Sequence, residues 1–175
     1  AWLAGGGGQG LARALADPGA VLPVLEQSGL RGLGGAGFPT HRKWAGVAAQ
    51  PGPERWIICN GNEDEPGTFK DRFLLAATPH QVIEGALIAA LVVKATQVVL
   101  YINPREREAV LTCRAAVAAW MAHPLAASVS AAIGQALTLV DDVVRHTGVR
   151  LPVIDIGGGF PVPYRSEVPS IERIA

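Results

Sequence analysis

At 175 residues, with 49% hydrophobic and 17% charged side chains, the chain is long enough for one packed domain, or one domain and a fragment of another. Its 15 basic and 15 acidic residues balance to zero, with no basic stripe for nucleic acid and no acidic tail. Cys59 and Cys113 stand too far apart in sequence to form a C-x-x-C pair. That spacing argues against a disulfide framework, a zinc site or iron–sulfur ligands in this chain, and for reduced thiols in a cytoplasmic setting.

The opening "AWLAGGGGQG" has no basic segment before an apolar run, so it does not read as a signal peptide. It also lacks an initiator methionine, as a trimmed or excerpted chain does. Residues 5–8, "GGGG", read as a flexible lead-in. "QGLARALADP" predicts a short helix stopped by Pro18, and "AVLPVLEQSG" a second helix closed by Gly29. A glycine-rich loop follows, then a third helix over "RKWAGVAAQ" ended by the "PGPER" turn.

"RWIICN" is a short apolar run between turn signals and predicts a buried strand. "GNEDEPGTFKDR" reads as a polar loop. "TPHQVIEGALIAALVVKA" predicts a helix with Thr78 as N-cap and Pro79 in its first position. "TQVVLYIN" is β-branched and apolar, a second buried strand. "PREREAVLTCRAAVAAWMA" predicts a helix opening at Pro104. The order strand–helix–strand–helix predicts an α/β fold, a Rossmann-like layered parallel sheet with flanking helices. Beyond His123, "ASVSAAIGQALTLVDDVVRHTG" reads as one helix and "LPVIDIGGGFP" as a buried strand entering a second glycine-rich turn. The longest apolar stretch, "GALIAALVVKATQVVLYI", is interrupted by Lys94, Thr96 and Gln97 and is too short to span a bilayer, so direct membrane insertion is not expected.

Two stretches carry chemistry. "RGLGGAGFPT" offers Gly32, Gly34, Gly35 and Gly37, whose backbone can approach a phosphate with no Cβ in the way. Lys43 follows and can neutralise that phosphate, and Phe38 can lie against a flat ring. Read alone, the loop is equally a set of tight turns. "CNGNEDEPGTFKDR" places Asn60, Asn62, Glu63 and Glu65 just after a strand, where open parallel sheets bind their ligands. Read alone, it is equally a solvated charged loop.

Together the motifs "RGLGGAGFPTHRKW", "CNGNEDEPGTFKDR" and "PHQVIEGALIAA" resemble, in order and spacing, those of the flavoprotein subunit of NADH:quinone oxidoreductase (complex I) and its relatives in formate dehydrogenases and hydrogenases. Those carry "RGRGGAGFPTGxKW", "CNxDExEPGxFKDR" and "PHxxIEGxxIAA". The resemblance covers about residues 5–126 and implies that residues 1–126 are a partial FMN-binding domain. By position, Gly32, Gly34, Gly35, Gly37 and Lys43 match the phosphate-side loop, and Asn60, Asn62 and Glu63 the flavin-contacting strand end. Phe38 matches an aromatic stacking on the nicotinamide-side ligand, and Glu65 an acid near bound NADH. The implied activity is oxidation of NADH through FMN, with electrons passed to iron–sulfur subunits of a multi-subunit complex, cytoplasmic and peripheral to a membrane. Leu33 and Asn62 depart from the family's arginine and aspartate. The family's later NADH-side segment and cysteine-rich cluster motif are not found, so little NADH oxidation is expected of the isolated chain.

"LPVIDIGGGFPVPY" resembles instead the glycine turn of PLP-dependent ornithine and diaminopimelate decarboxylases, where Gly157, Gly158 and Gly159 would receive the PLP phosphate. That resemblance implies a foreign helix–strand segment over residues 127–175 and PLP as an alternative cofactor. The chain's lysines, Lys43, Lys70 and Lys94, all lie in the first region, and none matches that family's Schiff-base lysine. A third reading is a non-catalytic remnant that binds nothing tightly. Of the remaining residues, His80 is expected to cap or pack, Cys59 and Cys113 to be buried, and Trp2, Trp44, Trp56 and Trp120 to serve the core or a subunit contact.

Overall fold

The computed structural model describes residues 2–32, 36–52, 54–63, 65–133 and 138–140. Helices α1 (Gln9–Ala16), α2 (Val21–Ser28) and α3 (Thr40–Ala48) precede strand β1 (Trp56–Gly61). Helices α4 (Lys70–Ala77) and α5 (Pro79–Val93) lead to β2 (Gln97–Ile102), and α6 (Arg107–Met121) and α7 (Pro124–Ile133) lead to β3 (Thr138–Val140). The sheet order is β1-β2-β3 and both pairings are parallel, with Asn60 beside Tyr101 and Val98 beside Leu139. Parallel neighbours require crossover connections, and helices supply both of them.

Helix α5 is the post around which the rest is arranged. Pro79, Ile83, Ala86, Leu87, Ala89, Ala90, Leu91 and Val93 are all buried along its 15 residues. A helix apolar on nearly every side has to be enclosed. It packs against α1, α3, α4, α6, α7 and both long strands. It shares the core with Ala109, Cys113, Ala116 and Trp120 of α6, all buried. Among the described residues no single helix is long and apolar enough to cross a membrane.

Several expectations need correction. The "GGGG" segment is ordered rather than a flexible lead-in. Leu3–Gly5 form a 3-10 turn, and Gly8 takes φ +91° where a Cβ would lie 2.9 Å from Leu125 Cδ1. "KDRFLLAA" is a helix, α4, and not the end of a polar loop. Thr78 does not cap α5; its hydroxyl donates to the Leu74 carbonyl at 3.0 Å and closes α4 instead. Pro104 lies in a turn that Asn103 Oδ1 holds by accepting the Arg105 N–H at 3.0 Å, so α6 starts only at Arg107. The expected long helix after His123 divides into α7 and then β3, which joins the sheet beside β2. The strand expected over "LPVIDIGGGFP" lies outside the described residues.

Strand β1 also differs from the expected buried strand. Ile57 and Cys59 face the helices, while Ile58 is 51% exposed and Asn60 is exposed on the opposite face. Only one face of β1 is covered by the described helices, so the strand reads as half-buried with period two.

The N-terminal segment is tied to α5 by one carboxylate. Glu84 accepts the Leu11 N–H at 3.0 Å through Oε1 and the Gly8 N–H at 3.2 Å through Oε2. Gly8, at the N-cap of α1, has no side chain to serve these amides, so an acid 76 residues away does it. Replacing a capping side chain costs about 0.5–2 kcal/mol. Glu84→Ala is therefore expected to lower stability by about 1–2 kcal/mol in urea unfolding, and to speed hydrogen exchange at Gly8 and Leu11. Unchanged exchange at both amides would show that the cap does not hold in solution.

Candidate functional site

The carboxyl end of β1 and the loop that follows it form one constellation. Asn60 Oδ1 accepts the Asn62 N–H at 3.0 Å, which fixes the amide plane of Asn60 across the strand end. The Nδ2 group of Asn60 has no hydrogen-bond partner among the described residues, and its side chain is exposed. Tyr101, in register with Asn60 on β2, is 37% exposed on the same face. An open amide beside a phenol at the carboxyl edge of a parallel sheet is a polar recognition edge.

Glu63 sits two residues past the strand, and its carboxylate is fully engaged. It accepts the Asp71 N–H at 3.2 Å and the Arg72 N–H at 3.5 Å, and pairs with Arg72 Nε at 3.6 Å. Its side chain is only 3% exposed. Burial pushes the carboxyl up, and the hydrogen bonds from the Asp71, Arg72 and Lys70 backbone and the Thr68 side chain outweigh it, leaving it below the ordinary carboxylate range. Arg72 extends the same bracket, with Nη2 on the Thr68 carbonyl at 2.9 Å and Nη1 on Glu106 Oε1 at 3.3 Å. The Glu65 carbonyl takes both the Thr68 N–H at 3.3 Å and the Thr68 hydroxyl at 2.9 Å, so the loop turns at Pro66 and Gly67 while the Glu65 side chain stays exposed.

The glycine loop is closed on itself. Arg31 and Pro39 form an antiparallel bridge, and the Gly32 N–H donates to the Phe38 carbonyl at 3.0 Å. Arg31 Nη1 donates to the Gly37 carbonyl at 3.2 Å. Gly32 is thus a closing residue whose amide is already spent. Gly37 takes φ +64° with nothing within 4 Å of a would-be Cβ, so open space lies beside its backbone. Phe38 is 54% exposed, and Lys43 is exposed in the first turns of α3, which packs on α5. Gly34 and Gly35 of this loop, and Gly157, Gly158 and Gly159 of the second glycine turn, lie outside the described residues.

The geometry separates the residues that the sequence singled out into two kinds. Phe38, Lys43, Asn60 and Glu65 present exposed side chains and Gly37 an open backbone side, and these fit a phosphate, a ring or a polar edge. Gly32 and Glu63 hold backbone. A flavin's fit to this edge rests on the open amide of Asn60 and the open side of Gly37.

A match to the family described as "Nuo51 FMN-binding domain" spans residues 25–152. The chain belongs to that family. The matched span runs past residue 126 and takes in α7 and β3 as well as both site loops. The chain is 45% identical over 103 residues to an NADH-quinone oxidoreductase subunit of Aquifex aeolicus (strain VF5), a match over 58% of this chain and 24% of that protein. It is 43% identical over 102 residues to an NADH-quinone oxidoreductase subunit of Rhizobium meliloti (strain 1021), over 57% and 24%. Among solved structures it is similar to an NAD+-reducing [NiFe]-hydrogenase in the H2-reduced state. There the TM-score is 0.62 at 37% identity, over 73% of this chain and 21% of that one. The chain spans about a quarter of the length of the curated relatives it matches (24%).

Residues that the sequence did not single out complete the site. Tyr101 follows the buried run Val98–Leu100 at the carboxyl end of β2, and no alternation in that strand marks it. Arg72 and Glu106 form the bracket but lie 34 residues apart, and no sequence signal pairs them. An open groove of about 390 Å³ is lined by Arg72 and Glu106 of that bracket, with exposed Phe69 and Phe73 at the start of α4 and Ala109 on α6. His80 packs rather than caps. Its Nδ1 has no partner among the described residues, and burial holds its pKa below the usual value of 6.5.

The thiols are not nucleophiles. Burial, and for Cys59 the neighbouring Cys113 as well, pushes both from 9.0 to about 11. Cys113 lies in the core with Sγ 3.5 Å from the Leu75 carbonyl. Because the folded pKa values are raised, the unfolded chain loses these protons first, so their contribution to stability declines between pH 9 and about 11. In the native chain at pH 7–8 both thiols should resist a disulfide reagent such as DTNB until denaturant is added. Reaction of Cys59 at the rate of a free thiol at pH 7 would overturn this assignment.

Proposed function

We infer that this chain supplies the FMN-holding part of an NADH-oxidising flavoprotein subunit. In this reading residues 1–126, the partial FMN-binding domain, carry the site residues. Gly34, Gly35, Gly37 and Lys43 take the phosphate side, with Gly32 closing their loop. Asn60 and Asn62 take the polar edge of the flavin. Phe38 lies against the nicotinamide-side ligand and Glu65 stands near bound NADH. Bound there, FMN would supply the redox chemistry, taking a hydride from NADH and releasing single electrons. The chain's own work is to bind the flavin, orient it and keep its polar edge paired.

The observation that carries this reading is Asn60. Its carbonyl oxygen is held by the Asn62 N–H and its NH2 has no partner among the described residues, at the carboxyl end of a parallel strand in a chain of an FMN-binding family. The reading extends to electron transfer into iron–sulfur subunits of a multi-subunit oxidoreductase, with the chain at the cytoplasmic periphery of a membrane complex. The relatives' names, as subunits of NADH-quinone oxidoreductase, support the multi-subunit oxidoreductase part of this reading. The PLP alternative rests on Gly157, Gly158 and Gly159 and gains no support from the described residues.

Titration with FMN, followed by quenching of flavin fluorescence, tests the assignment. Asn60→Ala is expected to weaken binding about tenfold, the loss of one to two well-placed hydrogen bonds. Gly35→Val is expected to abolish binding, because a β-branched side chain would fill the approach to the phosphate. Wild-type chain that leaves FMN fluorescence unquenched would sink the reading.

A further inference from the structure

The flavin edge at the end of β1 is only as well defined as the loop behind it. That loop, residues 62–69, is hydrophilic and glycine- and proline-containing, and has little apolar area of its own to bury. Three anchors hold it. Glu63 bonds the first two amides after Lys70, Arg72 reaches back to the Thr68 carbonyl, and Thr68 bonds the Glu65 carbonyl twice. The Asn62 N–H that fixes Asn60 belongs to the residue directly before Glu63. Any displacement of Glu63 therefore moves the donor that sets the Asn60 amide plane.

We propose that Glu63 is a positioning residue that acts on the flavin through Asn60, its carboxylate holding the start of α4 and Arg72 rather than touching the ligand. The proposal rests on the FMN reading above. Both carboxylate oxygens are engaged and the side chain is almost wholly covered, so the carboxylate is turned to α4 and Arg72 and not to the open edge where a ligand would lie. The N-cap of α4 is Phe69, whose side chain cannot accept a hydrogen bond, so the first amides of the helix depend on an acceptor from the loop. Through Arg72 the same acid is linked to Glu106 at the start of α6. The bracket thus ties the flavin edge to both α4 and α6.

The test combines exchange and binding on the full chain. In Glu63→Ala without FMN, the Asp71 and Arg72 amides should exchange faster while Ile83 and Leu87 in α5 keep wild-type protection. FMN affinity should fall about tenfold, and Asn60→Ala should add much less in that background than it costs alone, because coupled residues are non-additive. Glu63→Gln keeps an acceptor for the Asp71 N–H, so it should bind FMN within about threefold of wild type. It carries the test if the alanine variant fails to fold. Additive losses, unchanged exchange at Asp71 and Arg72, or a glutamine variant that keeps amide protection yet binds as weakly as alanine would each make Glu63 a direct contact. A wild-type chain that does not bind FMN would instead overturn the functional reading, and this proposal with it.

Discussion

Enclosure of α5 is the constraint on which the rest of the structure depends. Eight of its 15 residues are buried, over about 200° of its circumference, and only Gln81 and Gly85 are exposed on the remaining side. No single neighbour can cover such a helix. The chain answers with a sheet on one side and α1, α3, α4, α6 and α7 around the remainder. Alanine at 86, 89 and 90 lets those neighbours come close, and larger side chains at 83, 87, 91 and 93 fill the gaps between them. The parallel sheet follows from the same demand, because strands joined by helical crossovers put their helices where α5 needs cover.

Both candidate ligand loops lead into helices that pack on this enclosed helix. The glycine loop opens directly into α3, which packs on α5. The acidic loop runs from β1 into α4, which packs on α5 and α6. Among the described residues, neither loop contributes to the main buried cluster. Their shape is set by hydrogen bonds within each loop and by side chains reaching in from helices. Such loops can vary in sequence without disturbing the core, which is the usual division between a rigid scaffold and the groups that recognise a ligand.

What was legible in the sequence was whatever depends on local pattern. The apolar run of α5, Pro79 in its first turn, Gly29 with φ +66° after α2, and the β-branched run of β2 all signal themselves within a few residues. Three of the misreadings share one cause, dependence on a distant partner. "GGGG" reads as a flexible tether until Glu84, Trp120 and Leu125 are brought against it. "KDRFLLAA" lacks a clear apolar stripe, with Phe73 and Leu74 exposed and only Leu75 buried, so its helicity rests on Glu63 and on packing against α6. "TLV" reads as part of a helix until pairing with β2 supplies the hydrogen bonds of a strand. Of the site, the motif residues were legible from their resemblance to a family. The division between residues that present open groups and residues that hold backbone was not, because an acid in a loop looks the same in either role.

The sparse charges are used in a consistent way. The N-caps of α1 and α4 are Gly8 and Phe69, residues whose side chains cannot accept a hydrogen bond. Each helix is capped instead by a glutamate from another element, Glu84 on α5 for α1 and Glu63 in the loop for α4. A local Ser or Asp cap stabilises a helix wherever that helix happens to lie. A remote carboxylate stabilises it in one position only, since the acid and the amides must meet across the fold. The arrangement therefore converts capping, normally a local preference, into a tertiary restraint on where α1 and α4 sit. For α1 that restraint closes the core over Trp120. For α4 it fixes the distance between the end of β1 and the first helical amides, and so the shape of the edge at which Asn60 stands.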